Sequence, residues 1–148
     1  MEKPYVLLVD DNDATCTLVT ALLQRDFTVE ATNDGTEALE KLKTGRYAAI
    51  ILDLRMPPPD GYAIMDALLQ SRPELLPRVI VLTAALSQRE KERVKKYPVC
   101  EVIAKPFEVE ALFGAVKKCA GDSGGAFGSV ISSGVLLLIA EMLQRRWM

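Results

Sequence analysis

Three carboxylates, one hydroxyl and one ammonium stand out in this sequence because each lies where an apolar run stops: Asp10 with Asp11, Asp53, Thr83 and Lys105. Gathered in one place, the acids would repel, since two unit charges about 4 Å apart cost about 4 kcal/mol at an effective dielectric near 20. A hard divalent cation with oxygen ligands, best met by Mg²⁺ retaining several waters, would neutralise them, and Lys105 would add a further positive charge. A cation beside a carboxylate nucleophile, a hydroxyl donor and an ammonium is the equipment of phosphoryl transfer. Asp53 is the candidate nucleophile because it ends a continuously apolar run and is therefore held on a rigid element. Asp10 and Asp11 are candidate metal ligands or their supports. Singly, each residue has a plainer reading: helix-capping acids, a turn residue, a strand residue, a solvated charge.

The elements that must position these residues alternate regularly between apolar runs and helical patterns, the arrangement of parallel strands joined by crossover helices. Strands are predicted over residues 5–9, 27–32, 48–52, 79–82 and 99–104. Between them, Leu18 and Leu22 mark one helical face, Ala38, Leu39 and Leu42 a second, and Ile64, Ala67 and Leu68 a third. Ser87 and Glu90 have capping-box spacing before a fourth helix whose clear apolar anchors are only Val94 and Tyr97. That helix is expected to be weakly held. Val109, Leu112, Phe113 and Val116 give the fifth helix a firm stripe. Right-handed crossovers then give an α/β fold, a five-stranded parallel sheet with helices on both faces, and ligands of such sheets bind beyond the carboxyl ends of the strands.

Composition narrows the chemistry further. The chain has 148 residues, 49% apolar and 26% charged, which fits one globular core. A formal charge of -2 disfavours a wholly electrostatic nucleic-acid binder. The absence of His removes Ser-His and Cys-His nucleophiles, His-ligated zinc and phosphohistidine carriers. Cys16, Cys100 and Cys119 are odd in number and widely spaced, so three reduced thiols are expected rather than a disulfide framework. The first residues run directly into a strand without a signal-peptide pattern, and a cytoplasmic location is expected.

The order and spacing of Asp10-Asp11, Asp53-Leu54-Arg55-Met56-Pro57 with Asp60-Gly61, Thr83-Ala84 and Lys105-Pro106-Phe107 resemble a response-regulator receiver domain of two-component signalling, over residues 3–119. The resemblance implies a flavodoxin-like sheet of strand order 2-1-3-4-5. It also implies that Asp53 takes a phosphoryl group from the phosphohistidine of a sensor histidine kinase or phosphotransfer protein, with Thr83 and Lys105 each contacting a phosphoryl oxygen. Asp11, Asp53 and the Arg55 carbonyl would bind Mg²⁺, with Asp10 supporting the metal through water. The Lys105-Pro106 bond would be cis. Output would pass to an unknown downstream protein by changed binding, through the face of the fourth helix, fifth strand and fifth helix, without direct nucleic-acid contact and with a homodimer left open.

Two departures bear on output. Val102 stands where receivers commonly carry an aromatic switch residue, which shifts the expected coupling to Thr83 and the charged helix of residues 89–96 and raises the alternative of a phosphorylation-independent interaction module. Arg55 and Ala85 occupy the positions that tune loss of the phosphoryl group, and Ala85, unable to orient a water, predicts slow self-dephosphorylation. An aspartyl-nucleophile phosphatase would need a second acid where Arg55 stands. Beyond a Gly/Ser-rich linker at 120–125, residues 126–148 read as an apolar helical tail that packs on this domain or a second copy; Glu141 argues against a membrane span, and an interfacial contact is left open.

Overall fold

The computed structural model describes residues 2–84 and 86–121. Expectations for Ala85, for the linker beyond Gly121 and for the 126–148 tail lie outside the described residues.

Among the described residues, five strands alternate with five α-helices: β1 (Tyr5–Val9), α1 (Asp13–Leu23), β2 (Thr28–Thr32), α2 (Gly35–Thr44), β3 (Ala49–Leu52), α3 (Gly61–Ser71), β4 (Val79–Ala84), α4 (Gln88–Val94), β5 (Glu101–Lys105) and α5 (Val109–Cys119). All strands pair in parallel, in the order β2-β1-β3-β4-β5. This is the flavodoxin-like arrangement that the sequence resemblance implied. The sheet divides the core in two. Val6, Leu8, Ile51, Ile80 and Leu82 pack toward α1 and α5, while Leu7, Val9, Ile50, Leu52 and Val81 pack toward α2 and α3. Alternate side chains of the same strands thus serve opposite faces, which is why these strands are apolar throughout.

Local chemistry sets the helix starts. Asn12 caps α1 by accepting from the Thr15 amide at 2.9 Å, Asp60 caps α3 through the Ala63 amide at 2.9 Å, and Ser87 and Glu90 complete the capping box of α4. Because Asn12 takes the cap of α1, the plain capping reading of Asp10 and Asp11 does not hold. In α4 only Val94 is buried, as the sparse apolar pattern predicted.

The strand ends differ from expectation by a residue or two, and one difference matters for the site: β4 continues through Thr83 to Ala84, so Thr83 projects from the last turns of the ladder rather than from the loop beyond it. The thiol expectation is also corrected. Cys100 and Cys119 form a disulfide and Cys16 is the free thiol. Helix α5 returns antiparallel to β5, which brings the start of the strand and the end of the helix to a Cα–Cα separation of 6.0 Å, a distance a disulfide spans without backbone movement. The pairing is a tertiary consequence that cysteine spacing does not reveal.

Candidate functional site: an acidic rim at the carboxyl edge of the sheet

Strand register assembles the rim. Val9 lies opposite Leu52 in the β1–β3 pair, and the Asp53 amide donates to the Val9 carbonyl at 2.9 Å, so Asp10 and Asp53 emerge side by side. Thr83 and Ala84 face Ala104 and Lys105 across the β4–β5 pair, which carries the hydroxyl and the ammonium to the same edge. The rest of the acceptor loop is fixed by Leu54 and Met56 turning inward while Arg55 faces out. Gly61 closes the loop against α3: a Cβ there would meet the Asp53 carbonyl oxygen at 2.5 Å and the Leu54 Cα at 2.7 Å, so only glycine lets the helix approach this closely.

The predicted side chains meet. Lys105 Nζ lies 2.7 Å from Asp10 Oδ2 and 3.6 Å from Asp53 Oδ2. Thr83 Oγ1 donates to Asp53 Oδ1 at 3.0 Å, and the Arg55 amide donates to the same oxygen at 3.1 Å. Asp10, Asp11 and Asp53 each offer one carboxylate oxygen within 4.8 Å of the others. Asp10 is 1% exposed and Asp53 5%, whereas Asp11 opens to solvent. The Lys105-Pro106 bond is cis, and so is Pro58-Pro59.

The electrostatics follow from this packing. Burial pushes the Asp10 carboxyl above the usual carboxylate range and the Asp53 charge adds to the push, against the opposing pull of Lys105 and the Asn12 amide. One ammonium therefore does not compensate two buried carboxylates and a third at the surface. The donors are hard oxygens, the charge deficit is positive, and Asp11 leaves the cluster open on one side, a donor set that fits Mg²⁺. The Cys16 thiol donates to the Asp10 carbonyl at 3.3 Å and is pushed up to about 11, by burial first and by the Asp10 charge next, so it packs beneath the rim as an inert group.

Residues 6–117 match the family described as response regulator receiver domain. The chain belongs to the receiver-domain family of two-component regulators. It is 31% identical over 120 residues to the signal transduction histidine-protein kinase BarA of Escherichia coli K12, covering 80% of this chain and 13% of that protein. It is 31% identical over 137 residues to the transcriptional regulatory protein TctD of Salmonella typhimurium, covering 92% of this chain and 60% of the relative. The chain thus spans only part of the length of these larger regulators and kinases. Among solved structures, the receiver domain of a sensor histidine kinase from Pseudomonas aeruginosa PAO1 superposes with a TM-score of 0.72 at 28% identity, covering 81% of this chain and 99% of the other, and carries a magnesium ion coordinated in its active-site cleft. Receiver domains are phosphoacceptor signalling domains and bind Mg²⁺ at an acidic site. Among the described residues of this one, no helix is long and apolar enough to cross a membrane.

One contact at the rim had no sequence signal. Arg55 Nη2 lies 2.9 Å from Glu90 Oε1, joining the acceptor loop to the first turn of α4. The Ser87–Glu90 spacing announced a cap, but nothing in the local sequence announces a partner 35 residues away.

Proposed function

We propose that this receiver acts as a response regulator: it accepts a phosphoryl group on Asp53 from the phosphohistidine of a sensor histidine kinase or phosphotransfer protein, in a Mg²⁺-dependent reaction in the cytoplasm, and signals by changed binding to a partner protein. The observation that carries this reading is the convergence of Asp10, Asp11, Asp53, Thr83 and Lys105 on one edge, with Asp53 buried and in contact with both the hydroxyl and the ammonium.

Each residue then has a task. The Asp53 carboxylate forms the new O–P bond as the P–N bond of the donor breaks and the histidine leaves; hydrolysis of the acyl phosphate by water restores the acid. Asp11, Asp53 and the Arg55 carbonyl would hold Mg²⁺, with Asp10 supporting it through water, and the bound metal would offset the charge of the transferring group. Lys105 supplies a fixed positive charge to a phosphoryl oxygen, and Thr83, already donating to Asp53, turns its hydroxyl to another. Any remaining catalysis is confined to modification of the chain itself.

Acetyl phosphate with Mg²⁺, followed by intact-mass and peptide mass spectrometry, tests the reading. One phosphoryl group is expected, mapped to Asp53 and lost in Asp53→Asn; labelling that persists in the variant, or none in the wild type, overturns it. A second reading, a receiver-like module that binds its partner irrespective of phosphate, is favoured by one observation: Val102, in place of the usual aromatic, is 43% exposed on β5 and leaves no ring to change rotamer. Equal partner affinity with and without beryllofluoride supports this second reading, and unequal affinity the first.

A further inference from the structure

We propose that Arg55 is the positioning residue through which α4 senses the state of Asp53: its guanidinium clamps Glu90 in the free acid and moves to the phosphoryl group once Asp53 is esterified. The inference rests on the acceptor role of Asp53 and goes beyond it, because it names the group that carries the signal out of a rim lacking the usual aromatic.

The geometry supports the exchange at both ends. Arg55 is two residues from Asp53, and its own amide already donates to Asp53 Oδ1 at 3.1 Å, so its side chain springs from backbone held against the acceptor. At the other end, Glu90 is no isolated acid. Its Oε1 accepts from Arg55 at 2.9 Å, from the Ser87 hydroxyl at 3.2 Å and from the Ser87 amide at 3.3 Å, so the oxygen that closes the capping box of α4 is also the oxygen that Arg55 holds. Withdrawing the guanidinium therefore loosens the N-terminus of α4 from the acceptor loop.

The rest of α4 explains why a single ion pair can matter. Val94 is its one buried residue, near the helix's last turn. The same end is tied to α3, where Arg93 lies 3.7 Å over the ring of Tyr62 and the hydroxyl of Tyr97, just beyond the helix, donates to Asp66 at 2.5 Å. The C-terminal half is thus anchored, and the N-terminal half is joined to the rim through Arg55. Charge sets the direction. A carboxylate carries one negative charge and a phosphoryl group about 1.5 to 2, with three strong acceptor oxygens that a guanidinium fork matches. An exposed ion pair such as Arg55–Glu90 is held weakly enough to be exchanged. Because a switch responds only to the difference in interaction between its two states, the exchange needs the phosphoryl group to outcompete Glu90 rather than to bind Arg55 tightly in absolute terms.

Amide hydrogen exchange across residues 86–97 of the full chain tests the proposal, read by mass spectrometry with and without acetyl phosphate in Mg²⁺ and with the phosphorylated fraction measured by intact mass in each sample. In the wild type, phosphorylation is expected to speed exchange in the first turn of α4 by about two- to fivefold, the range that loss of an exposed ion pair supports. Glu90→Gln is expected to be phosphorylated, and it and the fraction of Arg55→Ala that intact mass shows phosphorylated are expected to exchange at the faster rate before any donor is added and to show no further change. Arg55→Lys, which keeps the charge, restores part of the response. A phosphorylated wild type with unchanged α4 exchange, or variants that keep the full increment, overturns the sensor while leaving the acceptor role intact. Absence of a phosphoryl group on the wild type overturns the acceptor role itself, and the sensor with it.

Discussion

The carboxyl end and the outer face of β5 are built on opposite principles. At its carboxyl end, Lys105 is 12% exposed and packed between carboxylates, in a rim where Asp10, Asp53 and Thr83 are buried and hydrogen-bonded. Along its outer face, Val102 and Ala104 are exposed, α4 is short, and a groove of about 590 Å³ opens between strand and helix, with Val94, Tyr97 and Val99 in its wall. The rim is buried and electrostatically crowded, and its stability depends on compensating charge. The α4–β5 face is loosely filled and is held by few anchors, which suits a surface that must change. Burial fixes where the chemistry occurs, and its shortage fixes what can move.

Perturbing the two regions should therefore give unequal effects. The largest belongs to the rim: Lys105→Met leaves Asp10 and Asp53 buried without their ammonium, and a loss of about 3 kcal/mol is expected in the urea unfolding of metal-free protein. A loss below about 1 kcal/mol would mean that the rim is less crowded than its distances imply.

The next concerns the bond that ties the start of β5 to the end of α5. The Cys100–Cys119 disulfide closes a loop with a sequence separation of 19, and a loop of this size is worth about 3 kcal/mol through the unfolded chain. Reduction by a dithiol, or Cys119→Ser, should lower the melting temperature correspondingly, with Mg²⁺ binding at the far edge of the sheet retained. If reduction weakens Mg²⁺ binding as strongly as stability, the two regions are not independent. A reducing cytoplasm disfavours such bonds, so the redox state of this pair in cells reports how tightly the α5 end is held there.

The smallest effect is expected at Val102→Asp, which changes an exposed side chain and should shift stability by no more than about 0.5 kcal/mol while altering partner binding. A large loss of stability there would show that the groove is filled in solution.

Much of this organisation was legible in the sequence because it is local. The runs at 5–9 and 48–52 are apolar on both faces and end abruptly in acids, so the placement of Asp10 and Asp53 each at the end of a buried strand follows from the hydrophobic pattern. The capping box at Ser87 and the thin apolar stripe of α4 were readable for the same reason. Strand order was not: periodicity identifies strands and leaves their neighbours undetermined, and the order came from the resemblance of the motifs. The role of Asn12 as the cap of α1 was hidden among three acidic neighbours that all suit a helix start. The disulfide and the Arg55–Glu90 pair were missed because each joins residues that only the folded sheet brings together, Cys100 with Cys119 and a loop arginine with a helix acid.

The claim beneath all of this is that three carboxylates at one edge of the sheet form a site for a divalent cation. Thermal melting of the wild type and of Asp11→Ala, each with and without Mg²⁺, tests it most directly. At a Mg²⁺ concentration 100 times the dissociation constant, the wild type should gain about 2.7 kcal/mol and Asp11→Ala should gain nothing. Equal gains in both proteins, or none in either, would contradict the account.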